Sequence, residues 1–244
     1  MVVKDLLILG SNSPEMELLR TRLVRMGYRA LPAKEPHQAQ SVLRVAGTRI
    51  GAVIVPSELP AVNLRIALDA MRNMVPGGEL AFIGAGRDPG LARRNKLREA
   101  GISFAAFDPI DPHTLRFQVN RATADAKVQT ARRRRTLRAP VDWTVAIRGG
   151  AREKRGRLYT VSASGAYVAI DQPSMLRAAV TLDLTLPGDR RLTVEGRVAM
   201  TNVPGNMQRK NLPFGMGVQF DQVTEAASVA LLVYAEDRLR ALAI

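Results

Sequence analysis

Residues 2–17 read VVKDLLILGSNSPEME and pass from an apolar run directly into the signals of a helix start. The run Val2–Leu9 is typical of a parallel strand that is buried on both faces. Ser13 is a suitable N-cap, Pro14 fits the first helical position, and the acidic residues that follow complement the positive end of a helix. The stretch therefore predicts a β-strand followed at once by an α-helix.

The same alternation recurs along the first half of the chain. Further strands are predicted at Tyr28–Ala33, Ile50–Val55, Glu79–Gly84 and Ser103–Asp108, with helical patterns at Pro36–Ala46, Val62–Asn73, Leu91–Ala100 and from Pro112 onward. Five successive strand–helix units are typical of an α/β domain with helices on both faces of a parallel sheet. The sequence predicts a doubly wound, flavodoxin-like domain over residues 1–125.

The second half has a different periodicity. Strands of period two are predicted at Trp143–Arg148, Arg157–Val161, Ala166–Ile170, Thr181–Leu186, Leu192–Thr201 and Gly215–Phe220. Short strands separated by Gly, Pro, Asp and Asn indicate a small antiparallel sandwich or barrel. Thr224 is a predicted N-cap for a closing helix to Ala243. The fold class is thus α/β plus β, with a β-barrel domain and its C-terminal helix over residues 139–244.

Residues 126–138 are predicted to form a helical, arginine-rich linker between these domains. The helix that begins near His113 is expected to continue to Thr130, because no Gly or Pro interrupts it. Its narrow apolar stripe leaves pairing with a second copy, as a homodimer, open. Packing against its own sheet is the simpler use of that stripe.

The amino-acid composition excludes several kinds of site. The chain of 244 residues has a formal net charge of +14, no cysteine and two histidines. Disulfides, cysteine–metal sites and thiol catalysis are excluded, and little material remains for a histidine metal centre or a catalytic triad. We predict no catalytic residues, no metal and no cofactor, and therefore no enzyme. No apolar run approaches the ~18 to 20 residues of a membrane helix, so we expect a cytoplasmic protein.

The first half resembles the receiver domain of two-component response regulators in its layout. Its best local match is Phe107–Asp111, which looks like the turn after the fifth strand in that family. Receiver chemistry requires an acidic pair after strand 1, a phosphoacceptor Asp at the end of strand 3, a Ser or Thr after strand 4 and a Lys after strand 5. The corresponding positions here are Gly10–Asn12, Val55–Ser57, Gly84–Gly86 and Asp108. The resemblance therefore implies a pseudo-receiver that lacks the groups for Mg²⁺ binding and phosphorylation.

Five arginines within Arg132–Arg138 precede the β domain. On its own, such a run is typical of a solvated linker or a nonspecific nucleic-acid tail. Arg134 and Arg138 form an Arg-x-x-x-Arg pattern, and the stretch Thr160–Gly165, TVSASG, follows. Together these residues closely resemble the PilZ domain, the cyclic di-GMP receptor module, whose signature is Arg-x-x-x-Arg followed by Asp/Asn-x-Ser-x-x-Gly. The resemblance extends to Gly215–Phe220 and covers about residues 130–236.

The resemblance implies cyclic di-GMP as the ligand and a site of Arg134, Arg135, Arg138, Thr160, Ser162 and Gly165. Guanidinium groups suit this ligand because they can meet a guanine O6/N7 edge with two parallel hydrogen bonds and can also pair with phosphate. Thr160 departs from the pattern, since it replaces an Asp or Asn. Losing a charge-assisted acceptor costs ~1.5 to 3 kcal/mol, which weakens binding.

The resemblances together imply a bacterial signalling effector in which second-messenger binding orders Arg132–Arg138, rearranges the domains and changes a surface for an unidentified protein partner. Motility, attachment or polysaccharide production would be the controlled process. One alternative is a degenerate PilZ and receiver interaction module that binds no nucleotide. A nucleic-acid-binding protein is the second alternative, which is disfavoured because Trp143, Tyr159 and Tyr167 are interpreted as barrel core and no helix-turn-helix pattern is present.

Overall fold

The computed structural model describes residues 4–60, 62–77, 79–124, 136–150, 153–188 and 190–244. By its internal contacts the chain divides into two units. The first comprises residues 1–133 together with 241–244, and the second comprises residues 134–240. Residues 126–135 of the predicted linker 126–138 lie outside the described residues. Among the described helices, none combines the length and the apolar character needed to cross a membrane.

The first unit is a five-stranded parallel sheet in the order β2-β1-β3-β4-β5, with a helix after each strand. Its elements are β1 Asp5–Leu9, α1 Pro14–Arg25, β2 Ala30–Ala33, α2 Pro36–Ala46, β3 Ile50–Pro56, α3 Leu64–Asn73, β4 Ala81–Arg87, α4 Leu91–Glu99, β5 Phe104–Asp108 and α5 Pro112–Ala122. Alternate residues of β1 enter the two hydrophobic layers on either side of the sheet. The predicted doubly wound, flavodoxin-like sheet is confirmed.

Local signals are reproduced at the first helix. The Ser13 hydroxyl accepts a hydrogen bond from the Met16 amide at 3.2 Å, and Pro14 is the first helical residue. This cap satisfies one of the amide groups that the first turn leaves without a partner. The prediction for the start of α1 is therefore confirmed.

Strand β4 ends later than the sequence predicts. Strand β4 runs from Ala81 to Arg87 instead of ending at Gly84, because Ala85 and Gly86 pair with Ala106 and Phe107 of β5. Pairing with a neighbouring strand outweighs the poor strand propensity of glycine.

Helix α5 ends at Ala122, and the described residues that follow it are not helical. Both the amide and the hydroxyl of Thr123 donate to the carbonyl of Val119, at 2.9 and 2.8 Å, at the end of the helix. A single helix continuing to Thr130 is therefore not formed.

The second unit is a closed antiparallel barrel with a C-terminal helix, as predicted. Its strands are β6 Arg138–Arg148, β7 Lys154–Ser162, β8 Gly165–Ala169, β9 Ala179–Leu186, β10 Arg190–Val203, β11 Asn206–Met207 and β12 Gly215–Gln222, and its helix is α6 Glu225–Ala241. The order is β11-β10-β12-β8-β7-β6-β9, and pairing of β9 with β10 closes six strands into the barrel. Thr224 caps α6 by accepting from the Ala227 amide at 3.3 Å.

Three aromatic residues of the barrel domain are buried or packed against its helix. Tyr159 and Tyr167 are 2% and 3% exposed and meet edge to face with ring centroids 5.9 Å apart. Trp143 is half-buried and lies 4.8 Å from the ring of Tyr234 on α6. These contacts bury apolar area and fix the helix on the barrel. The interpretation of the three residues as barrel core therefore agrees with their positions.

Candidate ligand-binding site

Three strands bring together the two halves of the sequence motif. Arg138 is the first residue of β6 and lies opposite Ser162, the last residue of β7. Ser162 in turn lies opposite Gly165, the first residue of β8. The antiparallel ladder therefore places the last arginine of the Arg-rich run beside the turn between β7 and β8.

The guanidinium of Arg138 is held against this turn. Its Nη1 donates a hydrogen bond to the Thr160 hydroxyl at 3.3 Å. A Cβ atom added to Gly165 would lie 3.3 Å from Arg138 Nη2 and only 2.5 Å from the carbonyl oxygen of Val218. A glycine is therefore required at position 165, because the neighbouring strand approaches closely. The Arg138 guanidinium lies on the same side of this glycine.

The turn itself is closed by a serine. The Ser162 hydroxyl donates to the Gly165 carbonyl at 3.0 Å, and the Ser162 residue is only 1% exposed. This bond satisfies a buried polar group and fixes the turn geometry. Ser162 is thus a positioning residue for the turn, which differs from direct ligand contact.

Thr160 is also buried, with 3% of its surface exposed. Its hydroxyl accepts from Arg138 and so orients the guanidinium. An alcohol carries no charge, so this hydrogen bond is weaker than one to a carboxylate. The substitution of Thr for Asp or Asn therefore leaves Arg138 held by a weaker acceptor than the family pattern supplies.

Two residues that the motif does not single out also contribute to the turn. The hydroxyls of Thr136 and Ser164 are 2.7 Å apart, and the Ser164 carbonyl accepts from the Phe220 amide at 3.1 Å. Thr136 lies between Arg135 and Arg138 in sequence, so this contact ties the arginine segment to the turn. The sequence alone does not predict this contact between hydroxyl groups, because hydroxyl residues are common in loops.

Of the six predicted site residues, four are brought together: Arg138, Thr160, Ser162 and Gly165. Arg134 and Arg135 lie outside the described residues.

Several other barrel arginines are matched with carboxylates. Arg157 pairs with Asp142 at 2.6 Å, and Arg148 pairs with Asp183 at 2.8 Å. Both pairs are partly exposed, so each stabilises the fold by no more than about 1 kcal/mol. Their main consequence is local neutralisation of charge on this part of the barrel surface.

In the first unit, a cavity of about 300 Å³ lies at the carboxyl ends of the parallel strands. Gly10, Asn12, Lys34 and Ser57 are among its lining residues. The Ser57 hydroxyl is not set up as a nucleophile, because it is 2% exposed and donates to the Arg87 carbonyl at 2.7 Å. Within the described part of the chain, no cluster of three or more His, Asp or Glu residues is arranged to hold a metal ion.

Comparison with known proteins gives the class of the second unit. Residues 132–236 match the PilZ domain family, and the unit that precedes them has a fold like that of the receiver domains of response regulators. No curated protein matches the chain.

Among solved structures, the Bacillus subtilis inhibitor of motility MotI/DgrA is 23% identical, with a TM-score of 0.38, over 44% of this chain and 52% of that chain. The match thus spans about half the length of the Bacillus protein. A putative response regulator from Chloroflexus aurantiacus is 19% identical, with a TM-score of 0.44, over 51% of this chain and 100% of that chain. A response regulator receiver domain protein from Clostridium thermocellum is 17% identical, with a TM-score of 0.43, over 52% and 98%.

Proposed function

We propose that the protein is a cytoplasmic bacterial signalling effector that binds cyclic di-GMP through its PilZ domain and transmits the signal to a protein partner. The observation that carries this proposal is the position of Arg138, whose guanidinium lies on Thr160 beside the turn that ends at Gly165. Motif residues that are distant in sequence are thereby brought together. No catalytic step belongs to the proposal.

The residue chemistry fits a doubly anionic ligand with two guanine bases. A guanidinium can donate two parallel hydrogen bonds to the O6/N7 edge of guanine or to phosphate oxygens. Arg138 is presented for this role at the barrel surface, and Arg134 and Arg135 belong to the same run. The absence of a side chain at Gly165 leaves room for the Arg138 guanidinium beside the turn.

Signal transmission would follow from ordering of residues 132–138 over the ligand. A ligand shifts a conformational equilibrium only by its difference in affinity for the two states. Arginines that contact cyclic di-GMP in one arrangement of the segment and not in the other supply such a difference. We expect the resulting domain rearrangement to change the surface offered to another protein or to a second copy of this chain, in control of motility, attachment or polysaccharide production.

Isothermal titration of the full chain with cyclic di-GMP tests the proposal. We expect a saturable heat signal that is lost or weakened at least roughly tenfold in Arg138→Ala, because a charge-assisted hydrogen-bond donor is removed. Arg157→Ala is the matched control, since it removes the same charge from the same barrel but from a pair with Asp142. No heat with tens of micromolar protein would overturn nucleotide binding, and equal losses in both variants would reduce it to a general charge effect.

One observation favours an interaction module that binds no nucleotide. Thr160 lacks the carboxylate or amide of the family pattern, and its buried hydroxyl already accepts from Arg138. This alternative predicts a partner complex or dimer of the same mass and affinity with and without cyclic di-GMP. Sedimentation velocity at both conditions separates the two hypotheses.

The barrel residues support nucleic-acid binding less than they support binding of cyclic di-GMP. Single-stranded nucleic acid is usually bound by aromatic rings on which the bases stack. Tyr159 and Tyr167 are almost completely buried and cannot serve as such a platform without unfolding. This hypothesis would be revived by affinity for random-sequence nucleic acid that falls steeply with salt.

A further inference from the structure

Residues 242–244 extend the sheet of the first unit. Strand β5 is at the edge of that sheet, and its Ala105 amide donates to the Leu242 carbonyl at 3.3 Å. Phe104 and Ala243 form an isolated antiparallel bridge. Residues 242–244 therefore meet β5 through a single bridge and occupy part of the backbone that an edge strand otherwise exposes.

Helices α4 and α5 each supply a side chain that binds the backbone of this segment. Gln118 of α5 is fully buried, and its Nε2 donates to the Leu242 carbonyl at 2.7 Å and to the Ala105 carbonyl at 2.8 Å. Arg98 of α4 donates through Nε to the carbonyl of Ile244. These bonds go to backbone carbonyls of the segment, so they do not depend on its side-chain identities.

Two apolar side chains anchor the segment. Leu242 and Ile244 are 8% and 6% exposed, and Ile244 belongs to the hydrophobic layer that also contains Phe82 and Ile102. A Cβ added to Gly84 would lie 2.9 Å from Ile244 Cδ1 and 3.3 Å from the Phe107 ring. The glycine on β4 therefore leaves room for an apolar anchor at this position.

We infer that the groove formed by β5, α4 and α5 is a peptide-docking site, and that residues 242–244 are its displaceable occupant. The partner it fits is a protein segment in extended conformation with Leu- or Ile-sized side chains two positions apart. The bound segment of this chain supplies the template for that chemistry. Displacement requires the three hydrogen bonds and two apolar contacts of this short segment to open locally while the central strands stay paired. This inference does not rest on nucleotide binding.

A binding experiment with a release variant tests the inference. The full chain carrying Leu242→Asp and Ile244→Asp loses both anchors, which leaves the groove open. We expect a fluorescent peptide of residues 238–244, RLRALAI with a C-terminal amide, to bind this variant saturably in an anisotropy titration and to bind the unmodified chain at least roughly tenfold more weakly.

Two controls separate groove binding from nonspecific effects. The variant Val229→Asp with Val233→Asp adds the same two charges at half-exposed positions of α6 and keeps the natural segment, so it should behave as the unmodified chain. Adding Gly84→Val to the release variant should weaken peptide binding roughly tenfold or more, because the new side chain fills the Ile244 position. A folded release variant that does not bind the peptide overturns the inference, as does equal binding by the unmodified chain.

Hydrogen exchange of the unmodified chain keeps the inference testable if the release variant does not fold. The Ala105 amide, which is bonded to Leu242, should exchange through a local opening and therefore faster than the Ile54 amide in the central strand β3. Equal protection of the two amides would show that residues 242–244 leave β5 only on global unfolding, and the inference would then be wrong.

Discussion

The Arg138 guanidinium donates to the Thr160 hydroxyl at 3.3 Å, although the two residues are 22 positions apart in sequence. The acceptor is neutral and buried. Under the proposed function, this bond orients Arg138 before the ligand binds and so lowers the conformational entropy that binding must remove. Thr160 is then a position at which affinity for an anionic ligand can be tested directly.

Two substitutions of Thr160 should change the affinity for cyclic di-GMP in opposite directions. Thr160→Val keeps the shape but removes the acceptor for Arg138, so we expect several-fold weaker cyclic di-GMP binding. Thr160→Asp restores the acidic residue of the family pattern and should strengthen binding about tenfold, equivalent to ~1.4 kcal/mol. Isothermal titration measures both. Unchanged affinity in Thr160→Asp would show that threonine is a fully adequate variant.

Gly165→Ala should destabilise the PilZ domain. The new methyl group would lie 2.5 Å from the Val218 carbonyl, a backbone atom that cannot rotate away. We expect a loss of about 1 to 3 kcal/mol in the free energy of unfolding, measured by urea denaturation. Gly188→Ala is the control, because its added carbon meets nothing within 4 Å and only the backbone at φ +79 is strained, at a cost of about 1 to 2 kcal/mol. A loss at Gly165 no greater than at Gly188 would argue against tight contact there.

Gln118→Leu should destabilise the first unit. The substitution has a similar volume but leaves the carbonyls of Ala105 and Leu242 without the Gln118 donor. Burying such groups without that partner should lower the free energy of unfolding by about 1 to 3 kcal/mol, measured by urea denaturation. Gln40→Leu, also on α2, is the control and should have little effect. An unchanged midpoint for Gln118→Leu would mean that its two bonds contribute nothing net.

The first unit should lose stability at alkaline pH through Tyr28. Burial raises the pKa of the Tyr28 phenol in the folded state, and the phenol donates to Asn120 Oδ1 at 2.7 Å. A folded-state pKa above the unfolded value of about 10 gives a stability contribution that is complete below that pH and declines as the pH rises above it. Between about pH 8 and 11, unmodified protein should therefore lose about 1 kcal/mol more than Tyr28→Phe in urea denaturation.

The Tyr28→Phe comparison removes effects that are common to both proteins, such as titration of lysines. Phenylalanine keeps the ring in the hydrophobic layer and has no proton to lose. Parallel declines of the two proteins between these pH values would contradict the assignment of the alkaline loss to Tyr28.

The arrangement of elements followed closely from local patterns. The apolar run ending at Leu9 and the cap at Ser13 specify a buried strand and a helix within one short stretch, and repetition of this unit leaves few alternatives to a parallel sheet. The exact ends of the helices and strands were harder to predict from the sequence. The extension of β4 through Gly86, for example, depends on pairing with β5.

The amino-acid sequence by itself determined the two fold classes, the poverty in catalytic groups and the type of residues at the candidate ligand site, because periodicity, composition and short motifs are local properties. Only the tertiary structure decided that Thr160 holds Arg138, that Ser162 closes a turn and that Gln118 binds residue 242. Each of these contacts joins groups whose spacing is set by strand pairing and helix packing. Those long-range pairings depend on the burial of whole faces, which no single motif encodes.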